Sequence, residues 1–356
     1  MLISEATEDI LEDWNTKIFQ RNIKEAKNLK KEVDVMFQRL DDIESEKNYL
    51  ILSGYYYLLQ NDSLELKMII ERMGNIPELS FYHHFFQGIR AYNLRRYDDA
   101  LDCYRFAEKY LNKNNPIETA EFYYRVAAVY YQVQETLMSV NLIQKALEVF
   151  EKNGKYRNRL GDCRMLLGLN YIDMRQFVEA EDQFHIARDI AQRINDSGLL
   201  ARINHNLGFM YAEQGLSEAA VRYLSNVLRD EDYDYSESYI KTIFLLTREY
   251  FKLNQIDAGK EWYEKGIALA HELNNVEYKV KFTLLNALYL DNKDFESTFK
   301  SGIAYLQQEK LWLDIEEYAQ IFARFYLDCK GYQKAAEYYE IAIEAKNEIK
   351  KMEGLK

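Results

Sequence analysis

The sequence predicts an all-α protein: an N-terminal three-helix bundle, then about seven helix pairs stacked as a right-handed superhelix. Three observations carry this. Among 356 residues there are only 2 prolines and 14 glycines, so backbone breakers are scarce. The hydrophobic fraction is 48%, with 14% aromatic, which suits a continuous core and not a disordered chain. From residue 81 onward, small and aromatic residues recur at a nearly constant interval, the mark of a repeat array.

The N-terminal segment lies outside that interval. Trp14, Ile18, Ile23, Ala26, Leu29, Val33, Phe37 and Leu40 keep helical spacing. Asn22 is placed to cap a second helix, and Ser45 a third that runs to about Leu59. Residues 1–62 therefore predict the bundle. The stretch NDSLELKMIIERMGNIPELS follows it. Residues 63–80 are expected to form a linker whose polar, proline-containing end acts as a hinge.

Residues 81–356 are expected to form the array. YDDALDCYRFAEKYL (97–111), FVEAEDQFHIARDIA (177–191) and YQKAAEYYEIAIEA (332–345) share an aromatic, an alanine three residues on and a small residue seven later. The alanine position recurs at Ala100, Val140, Ala180, Ala219, Gly259, Thr298 and Ala335. A second row lies upstream: Gly88, Ala128, Gly168, Gly208, Thr247, Asn286 and Ala323, most of them small. Tyr131, Tyr171, Tyr211, Tyr250, Tyr289 and Tyr326 follow three residues later in most units. Small residues let two helices approach closely where they cross, and neighbouring aromatics fill the groove. This is a helix–turn–helix unit stacked on copies of itself, as in tetratricopeptide repeats, with helices or linkers longer than in the usual unit of about 34 residues. Such solenoids bind peptides on the concave face lined by the first helix of each unit.

Composition excludes several classes. The net charge of −12 argues against a nucleic-acid binder and favours a cationic partner. The acidic start MLISEATEDILEDW is not a signal peptide, and no run of about 18 apolar residues exists to span a membrane. Cys103, Cys163 and Cys329 show no paired spacing and are expected to be reduced core thiols of a cytosolic protein. Among His83, His84, His185, His205 and His271, only the adjacent first two are close in sequence, and they point to different helix faces, so no metal is expected. No phosphate loop, nucleophile elbow or zinc motif occurs, and no cofactor is expected. The basic stretch KEAKNLKKEV raises a DNA-reading helix, but ATEDILED and DDIESE flank it with acid.

Some segments go further. AEFYYRVAAVYYQVQETLMSVNLIQKALEVFEKNGKY (120–156) closely resembles the second repeat of the Rap family of Bacillus, the response regulator aspartate phosphatases and their relatives. RLGDCRMLLGLNYIDMRQFVEAEDQFHIA resembles the next repeat, and WNTKIFQRNIKEAKNLKKEVDVM the family's N-terminal helices. The resemblance spans essentially the whole chain and is strongest over residues 80–215. It implies a three-helix bundle joined to a seven-repeat domain. It also implies a cytoplasmic regulator of quorum sensing, sporulation or competence that binds a two-component response regulator. Some members speed loss of the regulator's aspartyl phosphate; others block its DNA-binding domain. Short secreted Phr peptides bind the concave groove and release the target. A repeat scaffold with no phosphatase action and no peptide switch is the alternative.

The family's phosphatases carry a glutamine in a segment resembling E-E-(D/N)-Q-(D/N)-L-L-L, where it orients the attacking water. The matching stretch here is ESEKNYLIL (44–52), with Lys47 in place of glutamine. The resemblance makes Glu44, Lys47 and Leu50 response-regulator contacts, and Lys47 leaves phosphatase activity open. An amide both donates and accepts hydrogen bonds, whereas an ammonium only donates.

Asn206 is the candidate peptide contact. Two residues before the small-residue row, the units read Phe86, Val126, Leu166, Asn206, Leu245, Leu284 and Ile321, so one amide stands in an apolar row. An amide matches a peptide backbone, which offers N–H and C=O together. Asp173 is the second candidate, and the resemblance pairs it with Asn206 on the peptide backbone and its basic residue. An inter-helix bond for Asn206 and a turn contact for Asp173 are the competing structural roles. The acidic run DEDYDYSE (230–237) is a further possible attractor of a cationic peptide.

Overall fold

The structure, a computed structural model, describes residues 2–37, 43–228, 237–290 and 294–352, and every regular element among them is helical. The chain packs as two compact units, residues 1–196 and 197–356.

In the first unit, α1 (Leu2–Phe19), α2 (Ile23–Phe37) and α3 (Ile43–Leu59) form the N-terminal bundle. Trp14 is fully buried, and its indole N–H donates to the Ala26 carbonyl at 3.1 Å. Leu11, Ile18, Val33 and Tyr56 close around it. Asn22 caps α2 by accepting from the Glu25 amide at 3.2 Å. Ser45 does not cap α3, which starts two residues earlier at Ile43. Ile23 stands at the first residue of α2, before the buried stripe of that helix begins, and is 49% exposed. Leu40 lies outside the described residues. The stripe also buries Lys30, whose ammonium sits 5.2 Å from the Tyr49 ring and 5.9 Å from the Trp14 ring and pairs with Asp34.

Much of the expected linker is helical. Residues Ser63–Met73 form α4, capped by Asp62, which accepts from the Glu65 amide at 3.0 Å. Leu66, Ile69, Ile70 and Met73 keep helical spacing and share a core with Leu50, Phe85 and Phe86. Asn61–Asp62 and Gly74–Pro77 mark the ends of this helix, not a continuous linker. After Gly74 a 3-10 turn at Pro77–Leu79 leads into the array.

Among the described residues seven helix pairs follow, as expected. The first unit holds α5 (Ser80–Asn93) with α6 (Tyr97–Glu108), α7 (Pro116–Gln132) with α8 (Thr136–Phe150), and α9 (Arg157–Asp173) with α10 (Phe177–Arg193). The second holds α11 (Ser197–Glu213) with α12 (Ser217–Val227), α13 (Glu237–Lys252) with α14 (Ile256–Glu272), α15 (Val276–Tyr289) with α16 (Phe295–Gln308), and α17 (Trp312–Asp328) with α18 (Tyr332–Met352).

The small-residue rows are real, with three one-residue corrections. The fourth residue of α8 is Ser139, not Val140, and that of α12 is Ala220, not Ala219; both are fully buried. Ser139 fits because it is small and its hydroxyl donates to the Ala127 carbonyl at 2.9 Å. Ala127, fully buried, likewise replaces Ala128 in the first-helix row. The close approach is direct: a Cβ on Gly168 would lie 2.8 Å from the Phe184 ring, and one on Gly208 2.6 Å from Leu224. In both cases the partner is 16 residues on, across the helix pair.

The turns explain the low glycine count. Arg95, Gln134, Arg175, Asn254 and Lys330 each take a positive φ between the two helices of a pair, and Gly215 does so in α11–α12. The next amide then reaches back to a carbonyl in the last helical turn: Gln176 N to Tyr171 O at 2.8 Å, Leu216 N to Tyr211 O at 2.9 Å and Gln255 N to Tyr250 O at 3.0 Å. This is a Schellman closure, and with Gly331 N to Tyr326 O at 2.7 Å four tyrosines of the expected aromatic row supply its acceptor.

Among the cysteines, Cys163 is in the core, whereas Cys103 is half-buried and Cys329 exposed, so the expectation of three core thiols holds for one. Among the described residues no helix is long and apolar enough to cross a membrane.

Candidate functional site

The first candidate lies at the start of α3. Glu44 and Glu46 sit in its first turn, where the positive end of the helix dipole favours anions. Lys47 Nζ lies 3.3 Å from Glu44 Oε2 and 3.8 Å from Glu78 Oε1. The lysine side chain is 16% exposed, against 70% for Glu44 and 60% for Glu78. It is thus tucked between two carboxylates instead of extending into solvent. Glu78, in the 3-10 turn, drew no notice in the sequence because its contact with Lys47 is tertiary. The arrangement offers a cation that exchanges partners with an incoming phosphate or carboxylate and accepts no hydrogen bond. Leu50 differs from expectation. It is fully buried in the α3–α5 core, so any contact of Leu50 with a partner needs that core to open.

A buried charge cluster holds this region of the first unit together. Arg21, in the α1–α2 turn at φ 57, pairs with Asp162 on α9 and, at 2.7 Å, with Asp196. Asp162 also receives Arg159 at 2.9 Å, and Arg159 pairs with Glu121 on α7. Arg125 donates to Glu121 at 2.9 Å. Burial pushes the Glu121 carboxyl up, but Arg159 and Arg125 together outweigh it and hold the group below the usual carboxylate range.

Asp173 is the last residue of α9 and is exposed. Its carboxylate stands at the negative end of the helix dipole, where a cationic ligand is favoured. The hydroxyl of Tyr131 on α7 is held far above its usual range, by burial first and by the charge of Asp173 second.

Asn206 lies on α11 in the second unit and is half-buried. Its row is largely core: Phe86, Val126, Leu166, Leu245 and Leu284 are buried. The amide makes no side-chain hydrogen bond to any described residue, so the competing inter-helix bond is not formed there. The neighbouring His205 supplies that link instead. Thr242 donates its hydroxyl to the Ser238 carbonyl at 3.1 Å, so His205 Nδ1, 2.9 Å from Thr242 Oγ1, is the donor to it. Burial, helped by Lys241, pushes His205 down to about 4, and the ring is neutral at pH 7. The His205–Thr242 bond fixes α11 against α13 beside Asn206. A threonine inside the apolar run of α13 was its only sequence signal. Of the acidic run 230–237, residues 230–236 lie outside the described residues. Among the described residues no cluster of His, Cys, Asp or Glu is placed to hold a metal ion.

No protein-family model matches the chain. Individual proteins do. Response regulator aspartate phosphatase I of Bacillus subtilis (strain 168) is 27% identical over 363 residues, covering 96% of this chain and 91% of that protein. Regulatory protein RapC of the same organism is 29% identical over 377 residues, covering 99% of this chain and 97% of that protein. The crystal structure of a Rap protein complexed with competence and sporulation factor superposes with a TM-score of 0.81 at 22% identity, covering 98% of this chain and 99% of that one.

Proposed function

We propose that this chain, a member of the Rap family, binds a two-component response regulator through its N-terminal helices and releases it when a short signalling peptide binds the repeat helices. It works in the cytoplasm, where response regulators act. The name of the phosphatase relative supports the regulator as partner, and the peptide complex of the structural relative supports the peptide. The observation that carries the peptide reading is Asn206, a half-buried amide in an apolar row with none of its hydrogen-bonding capacity used among the described residues. Asp173 is the second residue read as a peptide contact.

The exposed Glu44 and the half-buried Lys47 are the groups read as meeting the regulator. Lys47 stands where the family's phosphatases resemble one another in a glutamine, so this chain binds its regulator and dephosphorylates it weakly. The test mixes the chain with the host's phosphorylated response regulators and follows the aspartyl phosphate. One regulator is expected to bind with its phosphoryl lifetime barely shortened, and Lys47→Gln is expected to shorten that lifetime severalfold. Fast dephosphorylation by the wild type that survives Lys47→Ala overturns this reading of the chemistry. Regulator binding that no short peptide reverses selects the alternative, a repeat scaffold without a switch.

A further inference from the structure

A cavity of about 190 Å³ opens between the N-terminal bundle and the first repeats, all within the first unit. Its walls include Asn15 and Phe19 from α1, Tyr55 from α3, Tyr82 from α5, Glu118 from α7 and Tyr156 from the turn before α9. The aromatic part is built: Phe19 packs on Tyr55 at 5.2 Å and edge-on to Tyr156 at 5.3 Å between ring centroids.

Two polar groups in this wall lack the partner their chemistry calls for. The Asn15 Oδ1 atom is buried and accepts no hydrogen bond among the described residues. Glu118 is half-buried, accepts from the Tyr82 hydroxyl and from the Asn112 backbone amide, and makes no ion pair among the described residues. The other carboxylate of the wall, Glu121, is already neutralised by Arg125 and Arg159. Glu118 has a local role as the third residue of α7, where its amide donates to the capping Asn115 at 3.2 Å and the helix dipole favours an anion. That role accounts for neither the cavity nor the orphaned Asn15 oxygen. Burial lifts the Glu118 carboxyl above its usual range, as expected for a carboxylate that lacks a cation.

We propose that this cavity binds a small organic ammonium ion with an aromatic or alkyl body, its N–H groups donating to Glu118 and Asn15 and its body resting against Phe19, Tyr55 and Tyr156. An ammonium supplies the donor that the Asn15 oxygen lacks and the positive charge that Glu118 lacks, and aromatic faces attract it further. An anion of the same shape meets the unpaired charge of Glu118, and a neutral analogue leaves Glu118 uncompensated. The cavity borders the bundle read as meeting the regulator, but none of its residues is among Glu44, Lys47, Asp173 and Asn206, the contacts read for the regulator and the peptide.

The test titrates the full chain with phenethylammonium at constant ionic strength by calorimetry, with phenylacetate and 2-phenylethanol as matched anionic and neutral probes. Phenethylammonium is expected to bind with a Kd of roughly 0.1–1 mM, a reasonable affinity for so few heavy atoms. Phenylacetate is expected to give no heat. Glu118→Gln, checked for an unchanged helical melt, is expected to weaken binding about tenfold, and Asn15→Asp, which adds a carboxylate, to strengthen it severalfold. Equal binding of 2-phenylethanol, or phenethylammonium binding that neither variant moves, overturns the proposal, as does no heat up to about 10 mM. That last result leaves a cavity that water fills.

Discussion

Glu121→Leu is expected to lower the unfolding free energy of the first unit by about 3–5 kcal/mol, the usual loss when one member of a buried ion pair is removed. Glu121 is 3% exposed and receives Arg159 through two nitrogens and Arg125 through one. Leucine fills the space but strands the Arg159 guanidinium, whose side chain is only 13% exposed. Asp162 remains as a partner for Arg159, yet it already serves Arg21. The effect depends on pH with a defined sign. The folded carboxyl lies below its ordinary value of 4.5, so its contribution is full above that pH and fades as acid protonates it. The gap between wild type and variant is therefore flat from neutral pH to about pH 4.5 and narrows below it. Trp14, buried in the same unit, reports the transition in urea once Trp262 and Trp312 are replaced by phenylalanine. A loss under about 1 kcal/mol means that the arginines relax to solvent and the cluster is not a structural tie.

That cluster shows what a sequence conceals. The seven helix pairs were legible because each crossing repeats the same steric demand, a small residue opposite a large one, at a fixed interval. Trp14, Ala26 and Val33 were legible for the same local reason, a stripe at helical spacing. The α4 helix was missed because punctuation at Asn61–Asp62 and Gly74–Pro77 outweighed the stripe Leu66, Ile69, Ile70 and Met73. The anchor in the second pair slipped by one because Ser139 is polar, and its hydroxyl bond to Ala127 is a tertiary fact. Arg21 and Asp162 are 141 residues apart, and no pattern along the chain announces such a pair. The candidate site divides in the same way. Asn206 stood out as a break in an apolar row. The burial of Leu50, the pairing of Lys47 with Glu78 and the cavity beside Glu118 arise from packing between distant segments.

Asp173→Asn is expected to weaken a cationic signalling peptide ten- to a hundredfold, because a charge-assisted hydrogen bond contributes about 1.5–3 kcal/mol. The substitution keeps the side chain's shape and removes only its charge, so the helical melt and regulator binding should stay as in the wild type. Asn206→Leu makes the complementary test. Its amide has no hydrogen bond to lose among the described residues, and leucine restores the residue type of the equivalent positions Leu166, Leu245 and Leu284. Thermal stability is therefore expected to hold or rise while peptide affinity falls by about the same factor. The two outcomes must go in opposite directions, and that separates a ligand contact from a structural one. A buried amide engaged in the fold costs about 1–3 kcal/mol of stability when its partner is left unsatisfied, and the melt would fall. Calorimetric titration of both variants with short peptides carrying one lysine or arginine decides between them. A sharp fall in melting temperature for Asn206→Leu, with peptide affinity unchanged, makes the amide a structural bond and removes it from the peptide site. If Asp173→Asn alone spares affinity, the charge contact is lost from the proposal while the amide contact stands.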